Sequence, residues 1–154
     1  MEPIGNYVPG EGPGDARLMF VGEAPGQVED YTRTPFAGPT GELLNEILRE
    51  LGYDRRSAYV TNVIKYRPPA NKLSRLEEIG VSIDQSIDQL WHEINTINPN
   101  VIVPLGNLSL KAVCGKGDGF KGIMKWRGSL MKSCQMDFKL SLIHISEPTR
   151  LLSI

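Results

Sequence analysis

Hydrophobic and polar positions along the chain follow two periods in alternation. Residues 17–22 (RLMFVG) are a short apolar run of strand length, and they lead straight into a polar loop, 23–39 (EAPGQVEDYTRTPFAGP). A 3.6-residue period then takes over at 41–51, where Leu43, Leu44, Ile47, Leu48 and Leu51 make one stripe and Gly52 supplies a stop. Residues 58–64 (AYVTNVI) predict a second strand, closed by a loop whose Pro68-Pro69 cannot continue a ladder. A second helix is predicted over 83–97, with Ile83, Ile87, Leu90, Ile94 and Ile97 on one face. Its SIDQSIDQ stretch reads as helical spacing with Asp84 and Asp88 on the wet side, rather than as a repeat. Residues 100–105 (NVIVPL) predict a third strand, followed by Gly106 and a short helix to about Val113. Further β-like segments run through 120–143, broken at Gly122 and Gly128.

Strands alternating with helices predict an α/β fold: a three-layer α/β/α sandwich with a mostly parallel central sheet. In such sheets ligands bind beyond the carboxyl ends of the strands. The loops 23–39, 65–73 and 106–107 all leave strands at that end and are expected to line one cleft. No linker interrupts the 154 residues, so one domain is expected.

Composition sharpens this picture in three places. Glycine and proline total 27 residues, 14 of them within the first 41, so backbone shape dominates the stretch around the first loop. The near-neutral net charge of −1 conceals segregation. Residues 51–75 hold six bases and one acid, residues 76–104 five acids and no base, and residues 105–154 eight bases and three acids. Two basic segments permit a local positive face, and scattered solvated charge is the plainer alternative. Cys114 and Cys134 are the only thiols, which excludes a disulfide scaffold and a four-cysteine metal site. No apolar run reaches the ~20 residues of a membrane span and the first residues lack a signal-peptide pattern, so a cytoplasmic protein is expected.

Candidate chemistry gathers in the predicted cleft. Gly22, Pro25 and Gly26 make an open turn whose N–H groups can face a ligand, yet neither a P-loop nor a GxGxxG spacing is present. Glu23, directly after a buried strand, belongs at the cleft floor, where a carboxylate can orient water or cap backbone donors. Phe36, on a Pro–Gly loop, is either a stacking platform for a base or a buried loop anchor. Asn62, near a strand end, can read a donor–acceptor pair if it faces the cleft. Lys65, Arg67, Lys72 and Arg75, interleaved with Tyr66, suit a phosphate backbone. His92 beside Trp91 suits a structural or solvated role. A zinc site and a Ser–His–Asp triad are not expected, and no Gly-x-Ser-x-Gly elbow occurs.

Five ordered blocks between about Tyr7 and Phe138 carry a resemblance. They are VPGEGPGDARLMFVGEAPGQVED, PFAGPTGELLNEIL, YVTNVIKYRPP, INPNVIVPLG and KWRGS. Together they resemble the uracil-DNA glycosylase superfamily, closest to its family 4 and a related phage DNA-polymerase-associated branch. The resemblance implies hydrolysis of the N-glycosidic bond of a uracil flipped out of DNA, in single or double strands. It implies that Glu23 positions the attacking water, Phe36 stacks on the base and Asn62 reads its pyrimidine edge, with Gly22, Ala24 and Gly26 as further substrate-binding positions. Lys65, Arg67 and Lys72 are expected on the DNA backbone, a DNA polymerase is a candidate partner, and a monomer is expected. Gly26 stands where the best-known uracil glycosylases carry a tyrosine that blocks the thymine methyl, so selectivity against C5-substituted bases stays open.

Three departures qualify what the resemblance implies. Family 4 members hold an iron–sulfur cluster through four cysteines, whereas here no cysteine precedes Arg17 and two ligand positions match Tyr66 and Ser86. No cofactor and no metal are therefore expected. The family's His-Pro-Ser or His-Pro-Ala motif is replaced by His144-Ile145, one residue early, which leaves His144 as the candidate donor to uracil O2. Finally, SLIHISEPTRLLSI resembles tails found at the ends of unrelated metagenomic gene predictions. The expected organisation is a glycosylase-like domain over 1–140, incomplete at its C-terminus, and a non-family tail over 141–154. The rival readings are a non-catalytic DNA-binding or polymerase-associated module of the same fold and, less favoured by KYRPP, a small-molecule nucleotide-binding protein.

Overall fold

The computed structural model describes residues 5–114 and two short strands, 130–132 and 139–141. Strand β1 (Leu18–Gly22) lies between β2 (Tyr59–Asn62) and β3 (Val101–Pro104), parallel to both. β5 (Lys139–Ser141) extends the sheet parallel to β3, and β4 (Leu130–Lys132) closes it antiparallel, giving the order β2-β1-β3-β5-β4. The sheet is thus mostly parallel, as the strand–helix alternation predicts.

Alternation along β1 separates two cores. Met19 and Val21 face one side, packing with Leu90 and Ile94 of α3 (Ile83–Ile97) and Leu110 and Val113 of α4 (Asn107–Cys114). Phe20 faces the other side, against Leu44 and Leu48 of α2 (Pro39–Glu50). Helices on both faces of one sheet make the three layers. Asp84 and Asp88 are exposed, and Leu90 and Ile94 are fully buried, as the helical period required. Ile83 is exposed because it opens the helix, before the packed turns.

Two features escape the apolar pattern. Inside the predicted loop 23–39 sits a six-residue helix, α1 (Gln27–Thr32), none of whose residues is buried. With no stripe to bury, it leaves no periodic signal. Residues Leu73–Ile79 form a 3₁₀ turn that buries Leu76 and Ile79. Upstream, the segment 5–16 runs along the outer side of β2. Glu11 and Val60 exchange N–H···O bonds of 2.9 Å each, and the Val8 N–H donates to the Lys65 carbonyl at 2.8 Å.

Candidate active site

β1 and β2 end in register, with Gly22 opposite Asn62, and β3 places Pro104 opposite Val21. Beyond these ends lies a pocket of about 220 Å³ whose lining includes Gly22, Glu23, Ala24, Glu29, Phe36 and Asn62. That volume is below the ~300 Å³ at which drug-sized sites begin, and it suits a ligand no larger than one base. Of the three loops expected to converge, 23–39 lines it, joined by the end of β2 and Leu105 after β3, whereas 106–107 does not. Loop 65–73 does not line it.

Glu23 leaves the end of β1 and reaches the start of α4, where the Leu108 N–H donates to its carboxylate. The turn that permits this is at Gly106, whose φ of +116° few other residues adopt. A Cβ there would overlap Glu23 Oε1. Burial pushes the Glu23 carboxyl above its ordinary range, and the Leu108 N–H counters only part of that rise. The same carboxylate thus caps a backbone donor and lines the pocket.

Phe36 is a buried loop anchor, 8% exposed within the Phe20–Leu44–Leu48 core, and it also lines the pocket. The ring lies over Gly22, where a Cβ would fall 2.8 Å from Cζ. That same Cβ would overlap Asn62 Oδ1, so a side chain at 22 would displace both groups at once. Asn62 is buried at 5% exposure, and its side chain borders the pocket.

Glu29 is a site residue that sequence reasoning missed. Its Oε1 accepts the Gly26 N–H at 3.2 Å, closing the start of α1, while Gly26 itself does not line the pocket. Oε2 is buried with no hydrogen-bond partner, the one such side-chain atom among the described residues. The signal was available as the three-residue spacing from an N-cap position to a glutamate.

The basic residues depart from their expected placement. Lys65 is not on a DNA-facing surface, because it is 5% exposed and its ammonium is consumed internally. Nζ donates to Glu93 Oε1 at 2.7 Å, to the Asn62 carbonyl at 2.6 Å and to Thr61 Oγ1. The Tyr59 hydroxyl donates to Glu93 Oε2 at 2.6 Å, completing a largely buried network. Burial pulls the Lys65 pKa down, opposed by the Glu93 carboxylate. What Lys65 does hold is the main chain of Asn62. Arg67 donates to Asn71 Oδ1 at 2.9 Å and lines a separate depression with Pro68, Pro69 and Asp30. Lys72 is exposed, and His92 is exposed on α3. Arg56 and Arg75 pair with Asp54 and Glu78. Three of the six bases in 51–75 thus sit in ion pairs, so the charge count overstates any positive face. His144 lies outside the described residues.

A family model described as the Uracil DNA glycosylase superfamily matches residues 9–152. The chain belongs to the uracil-DNA glycosylase superfamily. It is 38% identical over 148 residues to a type-4 uracil-DNA glycosylase of Archaeoglobus fulgidus, covering 96% of this chain and 72% of that one. With the type-4 enzyme of Thermotoga maritima it shares 45% identity over 125 residues, 80% of this chain and 62% of the relative. A DNA polymerase of Bacillus phage SP01 is 39% identical over 103 residues, 66% of this chain and 11% of the polymerase. Across the curated type-4 relatives it matches, the chain spans between 47% and 72% of their length.

The superfamily's type-4 branch raises the question of an iron–sulfur cluster, and the residues present do not fit one. Tyr66 packs edge-on against Tyr7, ring centroids 5.6 Å apart, and carries no thiolate. The Ser86 hydroxyl donates to the Ser82 carbonyl within α3 at 2.7 Å. Among the described residues no three His, Cys, Asp or Glu side chains gather as a metal site, and no helix is long and apolar enough to cross a membrane.

Proposed function

We propose that this chain hydrolyses the N-glycosidic bond of uracil in DNA, the first step of base-excision repair. The observation that carries the reading is the convergence of Glu23, Phe36 and Asn62 on one base-sized pocket in a member of this superfamily. A base rotated out of the stack, at a cost of a few kcal/mol, enters with its face against Phe36. Asn62 Oδ1 accepts from uracil N3–H while its amide nitrogen donates to O4. Cytosine presents the opposite pattern at both positions, and a bidentate pair discriminates by roughly 1–3 kcal/mol. Burial of Asn62 enlarges the penalty, because mispaired groups are left without water.

Cleavage sends the bonding electron pair onto uracil, developing negative charge at O2 and positive charge on the sugar. Ionised Glu23 orients the water that attacks the sugar carbon, and the carboxylate also offsets the sugar's charge. Arg67 and Lys72, both outside the pocket, are the cations proposed for the DNA backbone. His144 is proposed as the donor to O2, and residues 1–140 as the glycosylase-like domain. A protein without an iron–sulfur cluster is also proposed, supported by the Tyr66 and Ser86 environments; iron and sulfide analysis finding a stoichiometric cluster would refute it.

A second reading, a DNA-binding module without catalysis, is favoured by one observation: His144-Ile145 replaces the family's His-Pro. The deciding assay uses a labelled single-stranded oligonucleotide with one uracil, incubated with protein and treated with alkali. Strand cleavage abolished by Asn62→Ala supports the glycosylase. Binding without cleavage supports the module.

A further inference from the structure

We infer that Arg55 is a positioning residue that latches the loop carrying Phe36 into the conformation in which its ring faces the pocket. The inference rests on the glycosylase reading for its functional part, and on geometry alone for the latch.

Phe36 has φ +55°, the left-handed region, where a bulky side chain is strained and persists only if its surroundings impose it. Arg55 is one group that imposes it. Its NH1 donates to the Phe36 carbonyl at 3.3 Å and to Asn45 Oδ1 at 2.6 Å, and its NH2 donates to the Pro35 carbonyl at 3.2 Å. One planar guanidinium therefore joins two successive loop carbonyls to helix α2, through Asn45. Lysine cannot reproduce this fork, because its ammonium is a single point of charge on a flexible stem. α2 itself also closes on the loop, since a Cβ at Gly41 would overlap the Phe36 carbonyl oxygen. The position of the ring over Gly22 follows from these two restraints. Arg55 also borders an open cleft of about 720 Å³, separate from the base pocket, so small solutes can reach it.

Three measurements on the full chain test the latch. Hydrogen exchange of the amides in 33–38 is expected to accelerate in Arg55→Ala. Single-turnover uracil release is expected to fall about 10- to 100-fold, the scale of a misplaced positioning group, and millimolar methylguanidinium is expected to restore part of both. In a Phe36→Ala background the Arg55→Ala substitution is expected to cost nothing further, because Arg55 acts through Phe36. A folded Arg55→Ala protein with unchanged exchange in 33–38, or an equal loss in both backgrounds, overturns the inference. Should Arg55→Ala not fold, Asn45→Ala removes the shortest guanidinium contact: faster exchange in 33–38 supports the latch and unchanged exchange refutes it. If the wild-type chain releases no uracil, the glycosylase reading fails, while the exchange measurement still decides the latch.

Discussion

Glu23 is asked to be charged in a place that disfavours charge. Burial raises its carboxyl above the ordinary value of 4.5, so the protonated form favours the fold. Stability from this group is complete below that ordinary value and is lost as pH rises through the raised pKa. Glu23→Gln is therefore expected to match the wild type in acid and to exceed its melting temperature near neutrality, as a pH series of thermal unfolding would show. Activity runs the other way, because the water-orienting form is the carboxylate. The acid limb of kcat/KM is expected above the ordinary carboxylate range and absent in Glu23→Gln, whose residual rate is low at every pH. A limb at the ordinary value would mean that the titrating group is not Glu23.

At the scale of elements, the Lys65–Glu93 pair fastens the end of β2 to α3. Removing one member leaves the other buried and uncompensated, so Lys65→Met is expected to cost about 3–5 kcal/mol in urea unfolding. Adding Glu93→Gln should recover part of that loss. Gly106→Ala, at the turn between β3 and α4, is expected to cost about 1–3 kcal/mol and to displace Glu23, lowering kcat as well as stability. These elements also mark the reach of the sequence. The strands and the two long helices were legible because their buried faces repeat at fixed periods, and Glu23, Phe36 and Asn62 converge as their loops predict. α1 was not legible, since it buries nothing. Lys65 was misplaced for another reason: residue type and neighbourhood suggest solvent, while only the fold brings Glu93, 28 positions away, against it. Arg55 was hidden in the same way, because two of its three acceptors are main-chain oxygens, which carry no residue-type signature, and the third, Asn45, lies ten positions away.

For the whole molecule, internal pairing of Arg56, Lys65 and Arg75 lowers the charge that 51–75 can offer to the proposed DNA partner. With Arg67 and Lys72 as the proposed contacts, each replaced by alanine should reduce the slope of log K against log salt for single-stranded DNA by about 0.7, whereas Lys65 variants should leave the slope unchanged. β2 ends the sheet on one side, and an edge strand offers a row of unpaired N–H and C=O groups to any other chain that meets it. The segment 5–16 occupies that row through the Glu11–Val60 bridge and the Val8–Lys65 bond. It therefore covers that edge, and removing it is expected to expose the chain to self-association. A chain beginning at residue 14 is expected to show concentration-dependent oligomers by light scattering under conditions where the full chain does not, with copies joined edge to edge through β2.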